Sequence, residues 1–167
     1  MRVLVTAASK HGSTREIAQA IATELSAEGI AAEARDVTDV ATLEGYDAVI
    51  LGSAVYVGKW MNEAKDFVAR HGEELRHRSV WLFSSGPLGS TPKPTEDPAD
   101  VAPMMEATGA REHRLLVGAL ERGKLGMGER IIVRAVRAPY GDFRDPATIR
   151  EWARQIAAGL AGVATPG

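Results

Sequence analysis

The sequence predicts an α/β protein in which five parallel strands, in the order 2-1-3-4-5, form a doubly wound sheet covered by helices on both faces. Three observations carry that expectation. Apolar runs of strand length alternate with stretches of helical period along the chain. The runs are apolar throughout rather than alternating with polar residues, as strands buried on both faces are. No linker or internal repeat divides the 167 residues, so 1–167 is expected to form one domain with a substantial core.

The first strand is Arg2 to Ala7, and the period changes at Ser13. Ile17, Ala18, Ile21, Ala22 and Leu25 then share one helical stripe. Ser13 and Glu16 have the spacing of a capping box, and Gly29 supplies a C-terminal stop. Ile30 to Val37 is the second strand, and a short helical turn is expected within Thr38–Tyr46. Asp47 to Gly52 is the third strand. Trp60 to His71 follows with helical spacing at Met61, Ala64, Phe67 and Val68. Ser79 to Ser84 is the fourth strand, Ala99 to Thr108 a helix stopped by Gly109, and Arg114 to Ala119 the fifth strand. Glu129 to Val136 fits a helix or a strand equally. Asp145 then caps a last helix with Pro146 at its first position and Ile149, Trp152, Ala153, Ile156 and Leu160 on its apolar face.

Composition narrows the function classes. Hydrophobic content of 45% and charged content of 25% are those of a globular protein, and a net charge of −2 gives no field for nucleic acid. With no Cys, disulfides, thiolate metal sites and a Cys nucleophile are excluded. His11, His71, His77 and His113 lack zinc spacing, and the last three read as surface or structural residues. The first apolar run is too short for a signal peptide or a membrane span, which makes the cytoplasm the expected location. No carboxylate pair or Ser-His-Asp set suggests a protein acid, base or nucleophile.

In a doubly wound sheet, ligands sit beyond the carboxyl ends of the strands, where the winding reverses. Three turns meet there. The first, Ser9-Lys10-His11-Gly12-Ser13-Thr14, offers hydroxyls, a cation, a flexible glycine and the free N–H groups of a helix start, which together suit a phosphate. An ordinary capped turn has the same residues. A triphosphate P-loop is excluded because no Lys follows Gly12, and G-x-G-x-x-G is absent. A receiver domain is excluded because no carboxylate follows the first strand. The second turn, Ser53-Ala54-Val55-Tyr56-Val57-Gly58 and on to Trp60, presents flat apolar surface, although Tyr56 and Trp60 could equally pack on helices. The third, Ser84-Ser85-Gly86-Pro87-Leu88-Gly89, is small and turn-like. A phosphate cradle beside two turns able to sandwich a planar ring fits flavin mononucleotide (FMN) best. The expected donors to that ring are the backbone N–H groups of Tyr56–Gly58 and Ser85–Gly89.

At these residues the chain resembles the flavodoxin superfamily. Its phosphate-loop pattern [ST]-x-T-G-x-[ST] is matched by Ser9–Thr14 except at His11, where an imidazole N–H can replace a hydroxyl. Gly52–Gly58 resembles the turn over one flavin face, and Ser84–Gly89 the turn over the other. Within the superfamily the chain is similar to the branch of the quinone-dependent protoporphyrinogen dehydrogenases. The shared features are Ser-x-x-Gly-x-Thr before Arg15-Glu16-Ile17-Ala18, the Gly-Ser/Ala…Tyr-x-Gly loop, Gly118-Ala119-Leu120 ending the fifth strand, and Gly141–Asp145 before the last helix. That resemblance implies a flavodoxin-like three-layer sandwich, with FMN held by the three turns and the flavin carrying the redox chemistry.

Two functions then compete. One is an oxidoreductase passing electrons from an organic substrate, protoporphyrinogen among the candidates, to a quinone-type acceptor. Between Arg122 and Arg144, six basic residues stand against two acids, with Ile and Val interspersed. Such a stretch suits an anionic substrate or peripheral contact with a membrane holding quinone; a solvated basic face has the same composition. The other function is an electron carrier docking on protein redox partners. The resemblance implies an acidic rim for carriers, whereas Lys59 and Lys93 flank these turns. A flavin-free binding module, with His11 marking a lost site, and a homodimer both stay open.

Overall fold

The computed structural model describes residues 1–10, 12–56, 58–86, 98–117, 119–120, 141–142 and 146–164. The chain runs β1 (Arg2–Ala8), α1 (Ser13–Ala27), β2 (Ala31–Asp36), β3 (Ala48–Tyr56), β4 (Lys59–Trp60), α2 (Asn62–Arg76), β5 (Ser79–Gly86), α3 (Val101–Thr108), β6 (Glu112–Val117), β7 (Ala119–Leu120), β8 (Gly141–Asp142) and α4 (Pro146–Ala164). The parallel sheet has the order β2-β1-β3-β5-β6. With the two-residue β4 set aside, this is the predicted 2-1-3-4-5. β4 turns back antiparallel on β3, and β7 pairs with β8 in a separate ribbon.

The alternation of side chains along each strand divides the core into two layers. Val3, Val5 and Ala7 of β1, Ile50 of β3 and Phe83 of β5 pack under α1 and α4. Leu4 and Ala8, Val49 and Leu51, and Val80 and Leu82 face α2, with Met104 and Met105 of α3 against the same layer. β1, β3 and β5 are paired on both edges and covered on both faces, which is why their sequences read as unbroken apolar runs. The apolar face expected of α4 is buried as predicted, with Trp152 fully enclosed and its ring edge-on to Phe83 at 6.0 Å.

Helix ends follow the sequence at one terminus of α1 and depart from it at the other. Gly29 (φ 84°) closes α1, with Gly29 N–H on the Ser26 carbonyl and Ile30 N–H on that of Leu25, the paired bonds of a Schellman stop. The capping box does not form. Gly12 (φ 92°) takes the N-cap position, so Ser13 is already helical and no side chain caps the helix. The expected turn within Thr38–Tyr46 is a short 3-10 turn at Val37–Asp39, capped by Asp36. The segment 129–136 and the Asp145 cap lie outside the described residues.

Gly52 sits where β3 crosses Phe83. A Cβ built there would fall within the Phe83 ring, and that ring is wedged between the sheet and Trp152. Gly52→Ala should therefore destabilise the protein by about 1–3 kcal/mol through overpacking, read as a lower urea midpoint. An unchanged midpoint would contradict this packing.

Candidate functional site

β1 ends at Ala8, and the chain reverses into α1 through Ser9, Lys10 and Gly12. Gly12 N–H donates to Ser9 Oγ at 2.9 Å, which closes the turn and leaves the Ser9 hydroxyl proton available to a further acceptor. The first intrahelical bond runs from Glu16 N–H to the Gly12 carbonyl at 2.9 Å. The N–H groups of Ser13, Thr14 and Arg15 precede it and have no acceptor within the helix. Thr14 is fully buried, and its Oγ1 has no hydrogen-bond partner. An unsatisfied buried hydroxyl costs roughly 1–3 kcal/mol, so its place at a helix start rich in free donors calls for an acceptor. Thr6 Oγ1, two residues before the end of β1, is in the same condition.

Arg15 reaches across to β2, where its guanidinium lies 3.0 Å from Asp36. Asp36 also accepts from Thr38 N–H at 2.9 Å and Thr38 Oγ1 at 2.7 Å. Burial alone would raise the Asp36 carboxyl, but the Thr38 bonds and the Arg15 bond and charge outweigh it and hold the group below its ordinary value.

The second turn departs from expectation. Ser53 to Tyr56 are not loop but the continuation of β3, and Val55 and Tyr56 pair with Trp60 and Lys59 of β4. Gly58, in the left-handed region at φ 72°, makes this reversal feasible. Ser53 is fully buried, donating to the Ala54 carbonyl at 2.8 Å and accepting Met61 N–H at 2.9 Å. Ala54 is buried beside it, while Val55 is half-buried. Trp60 is only 2% exposed and packs with Phe67 and Leu82. Its ring belongs to the core, the plainer of the two readings its sequence allowed.

The third turn starts later than predicted. Ser84, Ser85 and Gly86 belong to β5, in register with Ser53 and Ala54 on one side and with Leu115, Leu116 and Val117 on the other. Ser84 and Ser85 are buried, and Ser84 Oγ accepts the Trp60 indole N–H at 2.7 Å and lies 2.7 Å from His113 Nε2. The structural assignment of His113 thus holds, as it does for His71, buried on α2 with Nδ1 3.2 Å from Glu74. Of the predicted site residues, Ser9, Lys10, Gly12, Ser13, Thr14, Ala54, Val55, Gly58 and Gly86 come to the ends of β1, β3 and β5 on one rim, with Tyr56 placed there by its backbone. The hydroxyls of Ser53 and Ser84 are spent inside the fold. His11, Val57, Pro87, Leu88 and Gly89 lie outside the described residues, as does 122–144 apart from Gly141 and Asp142.

Sequence reasoning passed over Asp36, Asp100 and His113, which shape this rim. Asp100 accepts the Trp60 backbone N–H at 2.9 Å and sits 3.6 Å from Lys65 Nζ. Asp36 fell inside the expected second strand, Ile30 to Val37, and carried no signal of its own. A separate surface groove of about 490 Å³ runs between α1 and α4, lined by Ile17, Ala20 and Ile149 with Glu16, Glu24 and Arg150. It belongs to the α1/α4 layer rather than to the strand ends. Among the described residues no helix is long and apolar enough to cross a membrane.

Because the Asp36 carboxyl titrates below its ordinary 3.8 in the folded chain, its contribution to stability is present above that pH and fades as the pH falls through the folded value. Asp36→Asn should lower stability at neutral pH by about 1 kcal/mol and flatten the loss of stability in the acid range below about pH 4. Urea unfolding across that range checks this, and an acid limb as steep as the wild type's would refute it.

The flavodoxin-domain profile matches residues 4–146. Protoporphyrinogen IX dehydrogenase [quinone] of Escherichia coli K12 is 27% identical over 173 aligned positions, covering 94% of this chain and 95% of that protein. Among solved structures, a flavodoxin of Streptococcus pneumoniae TIGR4 superposes with a TM-score of 0.65 at 19% identity, covering 95% of this chain and 99% of the other. Rubredoxin oxygen:oxidoreductase of Desulfovibrio gigas gives the same TM-score at 15% identity, covering 98% of this chain but 37% of the longer one. The sheet order, the glycine-started helix after β1 and a profile match over most of the length agree: the chain belongs to the flavodoxin-domain family.

Proposed function

We propose that the chain binds FMN across the ends of β1, β3 and β5 and works as an oxidoreductase, passing electrons from an organic donor of the protoporphyrinogen type to a quinone-type acceptor. The observation that carries the cofactor reading is the β1–α1 turn. It combines a buried, unpartnered Thr14 hydroxyl with the free N–H groups of Ser13, Thr14 and Arg15 and the available Ser9 proton, a donor set that fits a phosphate. The reaction class is supported by the likeness of nearly the whole chain to a protein named for that oxidation.

In this reading Ser9, Ser13 and Thr14 hold the phosphate, with Lys10 and Arg15 adding positive charge. The backbone at Tyr56–Gly58 and the end of β5 hold the ring. When bound, FMN supplies the redox chemistry, taking electrons from the donor and yielding them to the acceptor. The chain's own part is to bind, orient and tune, since no side-chain acid or base stands at the described rim in a catalytic pairing. The exposed Lys59 beside Gly58 suits an anionic donor. The basic stretch 122–144 would add to that charge or rest on a quinone-bearing membrane surface. A carrier for protein partners is the second reading, favoured by the likeness in fold to small flavodoxins. Two separable one-electron steps in a redox titration would favour it over the enzyme.

Thr14→Val should leave the flavin-free protein as stable as the wild type or slightly more so, because it removes an unpaired buried hydroxyl. It should also weaken FMN binding about tenfold or more, through the loss of a charge-assisted hydrogen bond of roughly 1.5–3 kcal/mol. Calorimetric titration measures both effects, and undiminished affinity would remove Thr14 from the cradle. For the reaction, anaerobic protoporphyrinogen should bleach the yellow protein, and a menaquinone analogue should restore its colour. A flavin that stays oxidised in the donor's presence would discard the proposed substrate.

A further inference from the structure

One residue ties together both strand ends across which the ring would lie, and the ties are polar. Trp60 pairs with Val55 on β3, donates its indole N–H to Ser84 on β5, and donates its backbone N–H to Asp100 at the start of α3. Ser84 in turn is hydrogen-bonded to His113 on β6, and Met61 N–H, next along the chain, is held by Ser53 of β3. Three elements thus meet at one residue that is 2% exposed, β3 and α3 through its backbone and β5 through its indole, and β6 joins through Ser84. Packing does not require this arrangement. A phenylalanine would keep an aromatic ring in the apolar cluster that includes Phe67 and Leu82, with no buried N–H to satisfy. A buried polar chain satisfied at each of these links instead specifies geometry, here the position of the β3–β4 hairpin relative to the end of β5.

We propose that Trp60 is a positioning residue, a buried strut that fixes the β3–β4 hairpin, and with it the Gly58 turn against which the ring would lie, relative to the end of β5, with Ser84, His113 and Asp100 acting through it. This rests on the FMN reading above. A ring site tolerates displacements of only roughly 0.5 Å before contacts are lost, so a strut that holds the β3–β4 hairpin in place governs affinity without touching the ligand. The strut acts on the ring and not on the phosphate. It therefore affects FMN and its dephosphorylated form, riboflavin, alike.

The test is titration of FMN and riboflavin into the flavin-stripped full-length chain, comparing wild type with Trp60→Phe, Ser84→Ala and Asp100→Ala. The proposal expects each variant to weaken both flavins by a similar factor, about tenfold, so that the ratio of the two dissociation constants stays at its wild-type value. The visible absorption of bound flavin should move toward that of free flavin. Affinity and spectrum left unchanged while thermal stability falls would reduce the network to a fold-stabilising role and overturn the proposal. So would a loss confined to FMN, which would assign the effect to the β1–α1 turn. Asp100, with its side chain 25% exposed, keeps the test open should the two buried substitutions prevent folding. A wild type that takes up neither flavin would defeat the FMN reading itself, a result distinct from wild-type binding that the variants leave undisturbed.

Discussion

The parallel ladder of β1 is the constraint on which the rest depends. β1 is paired along its length with β2 on one side and β3 on the other, and its side chains are enclosed by α1 and α4 on one face and by α2 on the other. Its carboxyl end therefore cannot shift without disturbing three layers. The Gly12 turn that follows starts α1 at a fixed point above the sheet, with the helix N–H groups directed to the rim. A turn mounted on a strand paired on both edges and covered on both faces is preorganised, which would lower the cost of ordering it on binding.

The two remaining walls are held differently. β3 and β5 each extend past their apolar runs into short polar residues, and those residues are consumed by bonds between elements instead of by solvent or ligand. Ser53 fastens the start of α2, and Ser84 fastens Trp60 and His113. The rim thus sets a helix start with free donors after β1 beside a hairpin whose position is fixed from within the core. Division of labour follows. In the proposed reading, charge would be recognised at the β1–α1 turn and shape at the ends of β3 and β5, so that substitutions at the two would have separable effects.

Much of this was legible in the sequence, for definite reasons. β1, β3 and β5 announce themselves because strands buried on both faces must be apolar throughout, and α4 because Pro146 and a five-residue apolar stripe leave few alternatives. The Ser9–Thr14 turn was legible as a strand-to-helix reversal because small hydroxyl residues and a glycine stand where the apolar period changes. The ends of β3 and β5 were misjudged because Gly52-Ser53 and Ser84-Ser85-Gly86 break the apolar runs, whereas the strands continue to Tyr56 and Gly86. The Ser13–Glu16 spacing suggested a capping box because spacing cannot reveal that Gly12 adopts a left-handed conformation and occupies the cap. The Trp60–Ser84–His113 chain had no local signal, since its bonds join residues 24 and 29 positions apart. Only the register of β3, β5 and β6 brings them together.

The account's central claim is spatial: one ligand spans the carboxyl ends of β1, β3 and β5. Amide chemical-shift mapping of the isotopically labelled chain on addition of FMN tests it most directly. The account predicts the largest shifts at the Gly12, Ser13 and Thr14 amides, together with those at the ends of β3 and β5. Shifts confined to the groove between α1 and α4, or none at saturating FMN, would contradict it.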